Sequence, residues 1–182
     1  GMQGPALALD TGWLAIKHVD EMICWVPTGN PSQPYKVLVP DTTATIALLD
    51  QWITAGHGSK AFLSKFQTGW TVANTRANAS LMSTNTTLQA NRINPMIEVI
   101  KAEWGLTEAD LIRVPSLYTS GGGAVMPSMI NAVVANGHLI MSAPNGPVNG
   151  GVDLMEAHMS GLLAGMAITP HYVDDQRYHR WS

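Results

Sequence analysis

Two periods alternate along the chain. Residues Met22 to Val26 are an apolar run, and after the turn-rich segment 27–34 the stretch Tyr35 to Val39 alternates at period two until Pro40. This predicts a hairpin of two strands. From Asp41 onward the period becomes helical: Ile46, Leu48, Leu49, Trp52 and Ile53 share a stripe, with Asp41 or Thr42 as N-cap and Gly56 past the end. Residues 64–91 are rich in Thr, Asn, Ser and Ala with sparse hydrophobes, which predicts a loosely structured excursion or a weak helix. Met96, Ile97, Ile100 and Trp104 restore helical spacing up to Gly105, and Asp110 to Val114 has strand character ended by Pro115.

The second half repeats this order. The runs Asn131 to Asn136 and His138 to Ala143 predict a hairpin turning at Asn136 and Gly137. Leu154, Met155, His158, Met159 and Leu162 then fall at helical intervals, Gly165 closes that helix, and Met166 to Val173 returns to strand. Strand, strand, helix, strand has occurred twice. The expectation is a pseudo-symmetric α/β assembly of repeated units, and a length of 182 residues sets it within one domain spanning 1–182.

Composition narrows the functional classes. Only 13% of residues are charged against 46% hydrophobic, and the net charge is −3. No basic patch exists to hold phosphate backbones, so nucleic acid is not an expected partner. No run approaches the ~18 apolar residues that span a bilayer, and no secretion signal is readable, so a cytoplasmic protein without membrane contact is expected. Cys24 is the single cysteine, which excludes an intrachain disulfide and a clustered-thiolate metal site.

Candidate chemistry concentrates at Lys17 to Pro27. Read as extended chain, the segment projects His18 and Asp20 to one side and Lys17, Val19 and Glu21 to the other. An imidazole beside a carboxylate suits acid-base work near neutrality or the binding of a cation. The competing readings are an ordinary polar strand end and, more remotely, a metal site of His18, Asp20 and Glu21. Cys24 sits in an apolar run and reads as an inert, buried thiol. His57 and His138 read as structural hydrogen-bonding groups and His158 as a core histidine. Gly121 to Gly123 lacks the Lys-Ser/Thr of a phosphate loop and reads as flexible backbone. The run Arg177 to Trp181 carries two arginines and three rings and could cap a cleft.

The segment G-W-L-A-I-K-H-V-D-E at 12–21, with V-P following at 26–27, resembles the protein-arginine deiminases, whose catalytic stretch has the form W-L-x-x-G-H-V-D-E. Further segments match in order: A-G-H-G-S-K-A-F-L at 55–63, residues 100–118, the run 126–151 and D-D-Q-R-Y-H-R at 174–180. The resemblance implies a partial pentein fan of ββαβ modules. It implies hydrolysis of peptidyl-arginine to peptidyl-citrulline and ammonia, an arginine-containing protein or peptide as partner, and calcium as a cofactor whose ligands lie in other family segments. It also implies that Asp20 holds the guanidinium and that His18 is the acid-base catalyst.

The departures from the family pattern carry expectations too. The family's nucleophilic cysteine lies in a G-x-V-H-C segment a few residues past the pair matching Tyr178 and His179, and its second carboxylate precedes the tryptophan matching Trp13. Neither is in these 182 residues, so the chain alone is expected to be inactive. Lys17 stands where the family has glycine. Two rival readings stay open: a non-catalytic binding or self-associating remnant, with homo-oligomers expected, and a small-molecule guanidine hydrolase resembling the agmatine deiminases.

Overall fold

The computed structural model describes residues 6–63 and 68–174. Strands β1 (Cys24–Asn30) and β2 (Gln33–Asp41) form an antiparallel hairpin, and β3 (Leu111–Pro115) lies parallel against β2, giving the sheet order β1-β2-β3. Between them run α1 (Thr42–Thr54), α2 (Val72–Ala77), α3 (Ala79–Leu88), a π-helical turn (Gln89–Ile93) and α4 (Asn94–Trp104). The second sheet repeats the plan. β4 (Val133–Ala135) and β5 (His138–Ser142) are antiparallel, β6 (Val148–Asn149) and β7 (Val152–Asp153) form a small separate pair, α5 (Leu154–Leu162) follows, and β8 (Thr169–Val173) lies parallel to β5. Hairpin, helix and parallel third strand therefore occur twice, as the hydrophobic periods predict. The result is a mixed α/β fold, and no closed ring of strands forms among the described residues.

β2 shows why its sequence is so apolar. Its side chains alternate between two cores, Leu38 entering the one that holds Leu48, Leu49 and Trp52 of α1, Val37 and Val39 entering the one that holds Met96, Ile97 and Ile100 of α4. A strand covered on both faces reads as a continuous hydrophobic run. The first core continues into the second unit through Leu139, Met141, Met155 and Met159, so one apolar body joins the two sheets.

Several boundaries differ from expectation for identifiable reasons. The hairpin is longer than predicted, because the strands run through Pro27 and Pro34, with a register shift between Pro27 and Asn30. Pro40 does not stop β2. It pairs with Val114 beyond the last β1 partner, Cys24 opposite Leu38, so no ladder bond to β1 is lost there. Asp41 is the N-cap of α1, its carboxylate accepting from Ala44 N–H at 2.8 Å. Ile53 lies on the exposed rim of that helix rather than in its buried stripe.

Residues 64–91 read in sequence as either a loose excursion or a weak helix. Ser64 to Gln67 lie outside the described residues; beyond them α2 and α3, separated at Asn78, and the π-helical turn from Gln89 take the helical alternative rather than the loose excursion. Their polar side chains are buried connectors. Asn85 donates to the Tyr118 carbonyl at 2.9 Å and accepts from the Tyr118 N–H at 2.8 Å. Gln89 accepts from the Thr42 N–H at 2.7 Å, and Thr42 Oγ1 donates to the Asn85 carbonyl at 2.8 Å. A polar composition that mimics a loop is spent on fastening α3 to α1 and to the chain after β3.

Candidate functional site

The segment carrying His18 and Asp20 is not extended. Val19–Glu21 forms a short 3-10 turn with His18 at its N-terminal cap position, so alternation does not govern which way these side chains face. Glu21 folds back and accepts the His18 backbone N–H at 3.1 Å, the position three residues on that a capping carboxylate takes. Met22 N–H and Ile23 N–H both donate to the Val19 carbonyl, at 2.9 and 3.2 Å. Leu14 and Met22, both buried in the second core, anchor the two ends. Between these anchors His18 and Asp20 are exposed and Glu21 is buried. The turn thus holds an imidazole and a carboxylate toward solvent on a fixed backbone.

Lys17 supplies the bend that starts the turn. Its φ is 68°, in the left-handed region, and its carbonyl accepts from Thr11 Oγ1 at 2.9 Å. Beneath the segment the chain after β3 closes the arrangement. Ala15 N–H donates to the Gly122 carbonyl at 3.2 Å, and Gly122 has φ +76°. A Cβ at Gly122 would meet the Trp13 carbonyl oxygen, so only glycine permits this approach. Thr119 N–H donates to the Gly123 carbonyl at 2.8 Å and Gly122 N–H to the Thr119 carbonyl at 3.0 Å. The glycine run is therefore a tight, bonded loop among the described residues, not the flexible backbone its composition predicts.

Tyr118 is fully enclosed here, its ring meeting Trp13 edge-on at 5.1 Å. Burial chiefly pushes its phenol far above the ordinary range; a hydrogen bond with Ser116 opposes this, and the nearby Glu21 charge adds to it. Tyr118 therefore stays a neutral phenol. The indole N–H of Trp13 is buried without a hydrogen-bond partner among the described residues.

Cys24 begins β1 and is half-buried, its Sγ lying 3.9 Å from the Trp25 carbonyl. Burial raises its thiol above the usual value, the opposite of what an attacking thiolate needs. His158 is half-buried on α5, and desolvation lowers its imidazole. His57 is half-buried after α1, its backbone N–H donating to the Trp52 carbonyl at 2.8 Å. His138 is exposed and shares a hydrogen bond with His171, Nδ1 to Nε2, at 2.9 Å. The run Arg177 to Trp181, with Tyr178 and His179, lies outside the described residues.

What residue patterns missed is the support. The extended reading projects Glu21 away from His18 rather than making it a cap, although its position three residues on is the signal that could have shown it; Tyr118 and Gly122 are brought to the turn from about a hundred residues away by the β2–β3 pairing. No helix among the described residues is long and apolar enough to cross a membrane.

Comparison with known proteins places the chain in a family. A family model described as "Protein-arginine deiminase (PAD)" matches residues 2–182. "Protein-arginine deiminase type-4" of Rattus norvegicus is 27% identical over 99% of this chain and 28% of its own length. "Protein-arginine deiminase type-3" of the same organism is 29% identical over 94% of the chain, and "Protein-arginine deiminase type-1" of Homo sapiens 29% over 98%, each across 27% of its own length. The chain spans about a quarter of the length of these curated relatives.

Proposed function

Because the chain belongs to the protein-arginine deiminase family, we propose that it carries the proton-transfer and guanidinium-holding part of a hydrolytic site for arginine side chains in proteins. The repeated hairpin, helix and parallel strand are then two successive ββαβ modules of a pentein fan. What supports this reading most is the family match over residues 2–182 combined with the H-V-D-E run on a braced turn.

The chemistry assigns a role to each group. A guanidinium stays protonated at neutral pH, so it needs carboxylate partners that also fix its plane, and Asp20 is one of them. A thiolate attacks the central carbon, and the departing nitrogen leaves as ammonia after taking a proton from His18. His18 then removes a proton from the water that breaks the carbon–sulfur bond, releasing citrulline and restoring the thiolate. Cys24, the chain's single cysteine, is half-buried with a raised pKa and is not that thiolate. The nucleophile has to come from outside these 182 residues. Calcium enters only at the family level; among the described residues no group of three or more His, Cys, Asp and Glu is arranged to hold a metal ion.

NMR titration of the 182-residue chain with N-benzoyl-arginine amide tests the binding half of this proposal. Shifts centred on residues 18–21, weakened at least about tenfold by Asp20→Asn as expected for a lost charge-assisted pair, are the expected result. Shifts that ignore this turn would refute the assignment. Mixed with arginine peptides, the same chain is expected to release no citrulline.

A second reading, a binding or self-associating module, is favoured by one observation. Val133, Ile140 and Val173 are exposed together on the second sheet, at 61, 41 and 47%.

A further inference from the structure

The open side of the β4-β5-β8 sheet holds two histidines that the arginine site does not use. His138 on β5 and His171 on β8 sit diagonally across the parallel ladder, where His138 pairs with Thr169 and Ile140 with His171. Both are exposed, their ring centroids are 4.9 Å apart, and Nδ1 of one lies 2.9 Å from Nε2 of the other. They border a shallow hollow of about 460 Å³ lined by Ala135, Asn136, His138, Ile140, His171 and Val173.

We propose that His138 and His171 chelate a late first-row divalent cation, Cu²⁺ or Ni²⁺, through these two ring nitrogens. The donor type narrows the ion: imidazole nitrogens suit late first-row metals, and Cu²⁺ stands highest in the divalent series. The two strands hold the backbones of His138 and His171 side by side, so only side-chain torsions have to order on binding. In the metal-free protein the rings share one hydrogen bond; to bind, the donating ring moves its proton to its other nitrogen, so that both neutral imidazoles present a lone pair to the cation and no net proton is lost. Ala135, Ile140 and Val173 add no donors, whereas the Asn136 side chain on the same rim carries an amide oxygen that can join the ion; water takes the positions left.

Titration of the 182-residue chain with CuCl₂, followed by calorimetry and by electron paramagnetic resonance, tests the site. One ion per chain and a spectrum carrying two imidazole nitrogens are expected. His138→Ala and His171→Ala should each weaken binding at least about tenfold, since losing even a group behind a ligand has that effect. Both positions are exposed, and unchanged circular dichroism would confirm that the variants fold. Copper bound equally by the His138→Ala/His171→Ala double variant, or retained at full strength by either single variant, would overturn the proposal, as would no binding by the parent chain.

Discussion

At position 17 a lysine occupies backbone that glycine holds without strain. With φ at 68° its Cβ crowds the carbonyl oxygen, a conformation that costs an ordinary residue about 1–2 kcal/mol. The W-L-x-x-G-H-V-D-E pattern has glycine at this position, and the backbone supplies the reason: the chain must bend left before the turn bearing His18 and Asp20. Lys17→Gly is therefore expected to stabilise the chain, by about 0.5–1 kcal/mol once glycine's extra freedom in the unfolded state is subtracted. Urea unfolding of the two proteins measures it; a destabilised variant would mean that the lysine side chain makes contacts outweighing its backbone strain. The same logic reversed applies at Gly122, where any Cβ meets the Trp13 carbonyl. His18 and Asp20 were legible as candidates because residue types announce chemistry. The bend that aims them was not, since a lysine in the sequence gives no sign of a left-handed backbone.

At the scale of elements, the helices that looked least regular in sequence are the ones that fasten the molecule. Asn85 is wholly buried and bonds both backbone groups of Tyr118, while Gln89 and Asn85 together bind Thr42 at the start of α1. Asn85→Ala would leave the Tyr118 N–H and carbonyl buried without partners. A loss of about 2–3 kcal/mol is expected, from the desolvation of unsatisfied amide groups. Thermal or urea denaturation checks this, and a loss below about 0.5 kcal/mol would imply that water enters and replaces the amide. Long periodic elements such as α1 and α4 were readable because burial of one face writes a hydrophobic stripe. α2 and α3 were readable only as a weak-helix alternative to a loose excursion, because part of their inner surface is made of Asn and Thr, which also build loops. The Pro40 error has a related origin: a proline ends a strand only where its missing N–H is needed, and that depends on which neighbour lies alongside.

For the whole molecule, two sheets of the same order and polarity share a continuous core, while the second leaves Val133, Ile140 and Val173 uncovered on its open side. An apolar sheet face in water favours pairing, so the chain is expected to self-associate with rising concentration. Sedimentation across a hundredfold dilution series should reveal it, and Val133→Lys/Ile140→Lys should keep the chain monomeric; a parent chain that stays monomeric throughout would dismiss the idea. The order of hairpin, helix and strand, repeated once, followed from the sequence alone, because hydrophobic period is a local property set by which face of each element meets the core. So did the identity of His18 and Asp20 as candidates, and the exclusion of an intrachain disulfide. Only the tertiary structure decided that the segment bearing them is a capped turn, that Glu21, Tyr118 and Gly122 brace it, and that two histidines more than thirty positions apart face each other at 2.9 Å. The capped turn is local, but the bracing by Tyr118 and Gly122 and the histidine pair depend on parallel strand pairing between residues far apart in the chain, and no local pattern of side chains encodes which distant strand will lie alongside.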